Sequence, residues 1–230
     1  MYAFSENFVL PISHDEVVHM KGSLRGKMPG DDWQQLAGVR AFTAYLLAHP
    51  GKKLTFMGAE LGQWHEWDFA SQLDWYLLEN KENQQTQRFF KDINRFYLSQ
   101  SPLWDIDFSW EGFEWLVADD NHNNIVVFVR RDRKGRELIA AVNFSPVGRA
   151  DYRFGVPPKK MYREVFTTDL PAYGGTGDWR NEGELLTESI PSHGKPCSLC
   201  VTIPPLGAVF LAGKGEWQEE KEPTSEPSEL

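Results

Sequence analysis

The sequence has few of the features that mark secreted, membrane-spanning or nucleic-acid-binding proteins. Its 230 residues include two cysteines, too few for a disulfide framework. It has no run of 18 apolar residues that could span a membrane. With 24 basic and 33 acidic side chains, it also lacks the excess of positive charge with which a general nucleic-acid binder meets phosphates. The N-terminus shows no basic-then-apolar export signal, so we expect a cytoplasmic protein with neither a nucleic-acid nor a membrane partner.

Aromatic residues, by contrast, are abundant. The chain has nine Trp, 15 Phe and seven Tyr within a hydrophobic content of 41%, which is ordinary for a globular protein. Aromatic rings fill protein cores, but they also provide flat faces on which sugar rings stack. A net charge of −9 does not oppose such a ligand, because a neutral sugar polymer carries no charge.

The first hundred residues follow an alternating pattern. Short apolar runs at 8–12 and 54–57 predict two buried strands. A helix is predicted from a cap at Asp31 or Asp32 to Pro50-Gly51, and a second helix at about 84–98. The order βαβα implies parallel strands. Two parallel strands do not make a stable sheet alone, so this half belongs to a larger sheet or docks on another body.

After residue 102 the pattern changes to short strands separated by turns, which is typical of an antiparallel β-sandwich. We therefore expect a sandwich at 103–213 that folds better alone than the whole chain does, followed by a disordered acidic tail at 214–230. The predicted strands lie at 114–118, 125–130 and 137–144, and near 161–167, 198–203 and 206–212.

Polar residues follow both predicted strands of the first half. His14, Asp15 and Glu16 come directly after the first, and Glu60 follows the second. Loops at the carboxyl ends of parallel strands build active sites, and carboxylates stabilise the oxocarbenium-like transition state of glycosyl transfer. The same residues also fit a structural role, in which Asp15 or Glu16 caps a turn and His14 is a polar rim residue.

Residues 4–19 (FSENFVLPISHDEVVH) closely resemble the bacterial 1,4-α-glucan (glycogen) branching enzymes of the α-amylase family. The resemblance covers about residues 2–213. Two residues depart from it: Met20 and Ala59 stand where the family commonly has Gly and Asn. Further matching segments are 26–31 (GKMPGD), 49–53 (HPGKK), 56–58 (FMG), 73–75 (LDW), 112–116 (GFEWL), 128–131 (FVRR), 143–144 (NF), 151–155 (DYRFG) and 204–206 (PPL).

The resemblance implies a fold and a set of roles. Residues 1–102 would supply strands seven and eight of a TIM-type (β/α)8 barrel with their helices, and 103–213 the family's C-terminal β-sandwich. His14 would hydrogen-bond the reacting glucose, and Asp15, the third carboxylate, would hold its 2- and 3-hydroxyls and favour the transition state. The expected lining of the glucan groove consists of Glu60, Gln63, Trp64 and Trp67, although both tryptophans also fit packing roles.

The family's nucleophile and acid/base lie on barrel strands four and five, which precede the region that this sequence matches. We therefore expect the isolated chain to be inactive, with an α-1,4-glucan as its ligand and a separate N-terminal barrel fragment as a candidate partner. Two alternatives stay open: a non-catalytic α-glucan-binding module and the remnant of a truncated gene. A trehalose-releasing hydrolase or an amylase fits residues 27–31 less well.

No metal or organic cofactor is implied. Cys197 and Cys200 have a metal-like spacing with His193 nearby, but a structural zinc site needs four ligands. In a strand, residues three apart also point to opposite faces. We therefore predict no metal or redox role for them.

Overall fold

A computed structural model describes residues 4–158 and 161–213, so the tail predicted at 214–230 lies outside the described residues. Two α-helices come first, α1 (Asp32–Ala48) and α2 (Lys81–Ser99). Eight strands follow. They are β1 (Phe113–Asp120), β2 (Ile125–Arg131), β3 (Glu137–Asn143), β4 (Arg149–Val156), β5 (Met161–Thr167), β6 (Leu185–Leu186), β7 (Cys197–Ile203) and β8 (Gly207–Gly213). All six strands predicted after residue 102 are confirmed, whereas β4 and β6 were missed.

The strands form two antiparallel sheets. The larger has the order β1-β2-β3-β8-β5-β6, and β4 pairs with β7 in the smaller. Buried side chains between them include Val127, Ile139, Phe154 and Leu199. The antiparallel β-sandwich expected from the sequence is therefore present.

The large sheet is buried on both faces, because the two helices pack against the face that the small sheet leaves open. Val127 and Val129 of β2 point to the small sheet, whereas Phe128 points to the helices. Every residue of β3 and β8 is buried. This explains why their sequences are unbroken apolar runs rather than the alternation of a half-exposed strand.

The helices begin and bury the faces that their sequences indicate. In α1, Asp31 accepts a hydrogen bond from the Gln34 amide at 2.8 Å, and the Gln34 side chain accepts one from the Asp31 amide at 3.0 Å. The helix ends before the His49-Pro50 pair, because proline disfavours helical backbone in the preceding residue. In α2, Phe89, Ile93 and other residues at helical spacing are buried.

The predicted strands at 8–12 and 54–57 are wrong as extended sheet elements. One parallel bridge joins Val9 to Lys52, with hydrogen bonds of 2.7 Å from the Leu10 amide to the Lys52 carbonyl and 3.0 Å from the Lys52 amide to the Phe8 carbonyl. Val9 is 61% exposed rather than buried. Among the described residues no third segment pairs with either one, and a two-stranded parallel pair with uncovered faces does not propagate.

One cluster of buried side chains spans the boundary predicted at residues 102/103. It contains Leu47 and Phe89 from the helices together with Phe128, Leu138 and Phe210 from the sheet. A sandwich cut at 103 would lose the cover of that face, which opposes the expectation that 103–213 folds better alone. The described residues include two helices of the kind that a barrel has, but not its strands.

Candidate functional site

The first predicted site residues lie in a single 3-10 turn, His14–Glu16. Ser13 precedes the turn, and its amide and hydroxyl donate to the Glu16 carboxylate at 2.6 and 2.9 Å. The Ser13 side-chain hydrogen bond, followed by the backbone bond, lowers the pKa of Glu16. Glu16 therefore shapes the turn, and the side chains of the two preceding residues remain outside this capping arrangement.

His14 and Asp15 are solvent-exposed and lie side by side. His14 Nε2 is 3.2 Å from Asp15 Oδ1, and their side chains are 59% and 71% exposed. On its other side, His14 contacts Phe56, with 6.2 Å between ring centroids. The pair thus presents a carboxylate and an imidazole to solvent, a set that can accept and donate hydrogen bonds to sugar hydroxyls.

The second group of predicted residues lies in the loop that begins at Gly58. The Glu60 carboxylate is engaged within its own turn, where it accepts the Gly58 amide at 2.9 Å. Trp64 is 48% exposed and lies under the Arg25 guanidinium, 5.2 Å from its carbon to the ring centroid. Both side chains therefore make local contacts that fit a structural role.

Gln63 and Trp67 line a cleft of about 400 Å³ formed by the same loop. Gln63 is buried and donates to the His65 carbonyl at 3.1 Å, while its side-chain oxygen accepts the Asp74 amide at 3.3 Å. The rest of the lining consists of His65, Glu66, Asp68, Ser71, Gln72, Leu73 and Asp74. Two of the six predicted site residues, Gln63 and Trp67, thus share a concave surface. The other four, His14, Asp15, Glu60 and Trp64, lie outside its lining.

The two loops are joined through Phe56 and through two consecutive residues, Glu66 and Trp67. The Trp67 ring meets Phe56 edge to face with 5.2 Å between centroids, so His14 and Trp67 contact the same ring. The Glu66 carboxylate accepts the amides of Met20 at 2.8 Å and Gly22 at 2.9 Å. These backbone bonds, from Gly22 and then Met20, lower the pKa of Glu66.

Glu66 is not among the site residues predicted from the sequence. A signal was available in Met20, which departs from the glycine of the family pattern and here adopts left-handed backbone with φ of 68°. A non-glycine residue in that conformation needs external support, but its partner, 46 residues away, cannot be read from the sequence.

Within residues 4–158 and 161–213, no group of three or more His, Cys, Asp or Glu side chains is arranged to hold a metal ion. Cys197 and Cys200 are free cysteines on β7. In the same ranges, no helix is both long and apolar enough to cross a membrane.

Comparison with known proteins gives a consistent result. Residues 115–214 match the family model of the alpha amylase C-terminal all-beta domain. The chain is 51% identical over 215 residues to the 1,4-alpha-glucan branching enzyme GlgB of Aquifex aeolicus, which covers 93% of this chain and 34% of that protein. This chain is similar to part of the bacterial 1,4-alpha-glucan branching enzymes.

Two further branching enzymes match almost as well. That of Rubrobacter xylanophilus is 50% identical over 212 residues, covering 92% of this chain and 29% of the relative. That of Aromatoleum aromaticum is 47% identical over 210 residues, covering 91% and 33%. The chain therefore spans about a third of the length of these relatives, and the matched all-beta domain places it in their C-terminal portion.

The crystal structure of a debranching enzyme from Nostoc punctiforme is similar in fold. The TM-score is 0.51 with 19% sequence identity, covering 77% of this chain and 31% of that one. At this identity the likeness supports the fold alone.

Proposed function

We propose that this chain supplies the C-terminal portion of a 1,4-α-glucan branching enzyme, which cuts an α-1,4 linkage with retention and forms an α-1,6 branch. The observation that carries the proposal is an identity of about 50% over more than nine-tenths of the chain to proteins of that name. The substrate is then an α-1,4-glucan such as glycogen or amylose.

In this proposal, His14 and Asp15 hold the reacting glucose. Asp15 binds the 2- and 3-hydroxyls and stabilises the positive charge that develops on the sugar ring. Its exposed side chain and its contact with His14 support the role, because the hydrogen-bonding groups of both face solvent. Gln63 and Trp67 line the groove for the neighbouring glucan, with Glu60 and Trp64 supporting its wall.

The residues at 8–12 and 54–57 become strands seven and eight of a (β/α)8 barrel when the other six strands are present. The parallel bridge between Val9 and Lys52 supports this, because it has the orientation that such a barrel requires. Exposed apolar side chains in these segments, such as Val9 and Met57, would be covered by the neighbouring units. A separate N-terminal barrel fragment is one source of those units.

The isolated chain has no turnover in this proposal. Retaining glycosyl transfer needs a nucleophile and an acid/base about 5 Å apart. Glu60, the carboxylate that follows the second predicted strand, accepts a hydrogen bond from the Gly58 amide. We expect the pure chain to leave the iodine-binding spectrum of amylose unchanged and to release no reducing ends. Branching by the pure chain would contradict this expectation.

A hybrid enzyme tests the proposed function. This chain would replace the 215 matching residues of the Aquifex aeolicus branching enzyme, and branching of amylose would be measured by the fall in iodine colour. We expect the hybrid to be active, and Asp15→Asn to lower kcat by about 10²–10³-fold because charge stabilisation in the transition state is lost.

Asp178→Asn is the control, because Asp178 is an exposed loop residue of the β-sandwich half. It should leave the kcat of the hybrid unchanged. An inactive but folded hybrid, or equal kcat for the two variants, would reject the proposed function.

A further inference from the structure

The loop that follows the His14–Glu16 turn has an unusual backbone. His19 and Met20, at φ of 58° and 68°, are consecutive non-glycine residues in the left-handed region. Their side chains do not explain this conformation, because both residues are exposed and Met20 is 97% exposed. Contacts of the main chain must therefore hold the loop in place.

A single carboxylate supplies the main contacts. Glu66 Oε1 accepts the Met20 amide at 2.8 Å, and Glu66 Oε2 accepts the Gly22 amide at 2.9 Å. The next residue adds a third bond, 3.2 Å from the Trp67 amide to the Val17 carbonyl. The left-handed pair is thus held at Met20 itself and is flanked by anchors at Val17 and Gly22.

The anchored loop is connected directly to the His14–Asp15 pair. Val17 follows the turn and its amide donates to the His14 carbonyl at 2.9 Å. From within the loop, Lys21 Nζ donates to the Asp15 carbonyl at 2.6 Å. A shift of the loop would therefore move the turn that carries both side chains.

We infer that Glu66 is a positioning residue for the glucose-binding turn: its two carboxylate oxygens hold the left-handed loop, and the loop holds His14 and Asp15 in place. This inference rests on the proposed function of that pair. The contact needs a carboxylate, because a carboxylate offers an acceptor oxygen to each amide, whereas glutamine offers one oxygen and an NH₂ group that repels the other amide.

The electrostatic surroundings agree with an ionised Glu66. The amides of Gly22 and Met20 lower its pKa, and the nearby basic side chains of His19 and Lys27 act in the same direction. A carboxylate with a lowered pKa is fully ionised, and keeps its contacts, at any pH above the ordinary pKa of glutamate. It loses those contacts as the pH falls through its own, lowered pKa. The positions of the two amides should follow that titration.

The test compares Glu66→Gln with Glu111→Gln. Glu111→Gln makes the same change of charge and shape, and a hydrogen bond from Ser109 lowers the pKa of Glu111 as well. Glu111 differs in its place, because it lies in an exposed turn of the half that begins at residue 103. In the whole chain, Glu66→Gln should speed amide exchange of Met20 and Gly22 by about tenfold or more, because it removes hydrogen bonds to a charged group. It should also abolish the acid titration of their amide proton shifts. Glu111→Gln should leave both signals unchanged.

The second measurement uses the hybrid enzyme described above. Glu66→Gln should lower kcat by about tenfold, as expected when a catalytic group is displaced, with KM little changed and the melting temperature kept, whereas Glu111→Gln should have no effect. Unaltered amides in Glu66→Gln, or released amides with an unchanged kcat, would overturn the inference and leave the proposed function intact. A hybrid that is inactive without any substitution would reject both.

Discussion

Replacing Arg130 with methionine is expected to lower the free energy of unfolding by about 3–5 kcal/mol, because it removes the buried cation of Asp107 and the donor to three main-chain carbonyls. Lys52, at 2.9 Å from Asp107, is then the remaining cation of that carboxylate. The Arg130 side chain is fully buried, and its guanidinium donates to Asp107 at 2.8 Å, whose own side chain is 1% exposed. It also donates to the carbonyls of Ala48 at 2.7 Å, Gly112 at 3.1 Å and Ile106 at 3.2 Å. Methionine fills similar space but satisfies none of these acceptors.

The matched control is Arg133→Met, which breaks a pair at the surface. Arg133 is 75% exposed and donates to Asp105 at 2.8 Å, so its loss should cost about 1 kcal/mol or less. Urea unfolding followed by circular dichroism measures both variants. Arg130 on β2 is bonded to Ala48 at the end of α1, so its network connects the helices to the sheet. Equal stability of Arg130→Met and Arg133→Met would show that this buried network does not hold the two halves together.

The helices and most strands could be predicted because their signals are local. Asp31 caps α1, the apolar spacing in α2 marks its buried face, and turns such as the one at 121–124 separate the strands. The segments at 8–12 and 54–57 carry an equally clear apolar signal, but a parallel strand depends on neighbours far away in sequence. Their composition therefore predicts a strand that the described residues alone do not complete.

The candidate site was predictable only in part, for the same reason. The resemblance to the branching enzymes pointed to His14 and Asp15, and both lie together in an exposed turn. The contact of Glu66 with the Met20 amide, 46 residues away, has no local signature. Such contacts follow from how two loops meet, which single-sequence patterns do not encode.

Removing residues 1–102 is expected to destroy the cooperative folding of the sheet, contrary to what its turn-and-strand pattern suggests. The helix-facing side chains Phe128, Leu138 and Phe210 are each no more than 1% exposed in the whole chain. Uncovering three large apolar side chains costs about 5–9 kcal/mol, at about 1.5–3 kcal/mol each. That is comparable with the whole stability of an ordinary domain, about 5–15 kcal/mol.

The fragment 103–213 should therefore bind the dye ANS, lose its near-ultraviolet circular dichroism and be cleaved by trypsin much faster than the fragment 1–213, which serves as the length control. The large sheet would still have the small sheet on its other face, so some secondary structure should persist in the far ultraviolet. A sharp unfolding transition of 103–213, at the same urea concentration as 1–213, would contradict this. It would mean that helix–sheet packing, such as that of Phe96 on Phe210, contributes little to the stability of the sheet, and that the boundary at 103 separates two independently folding units.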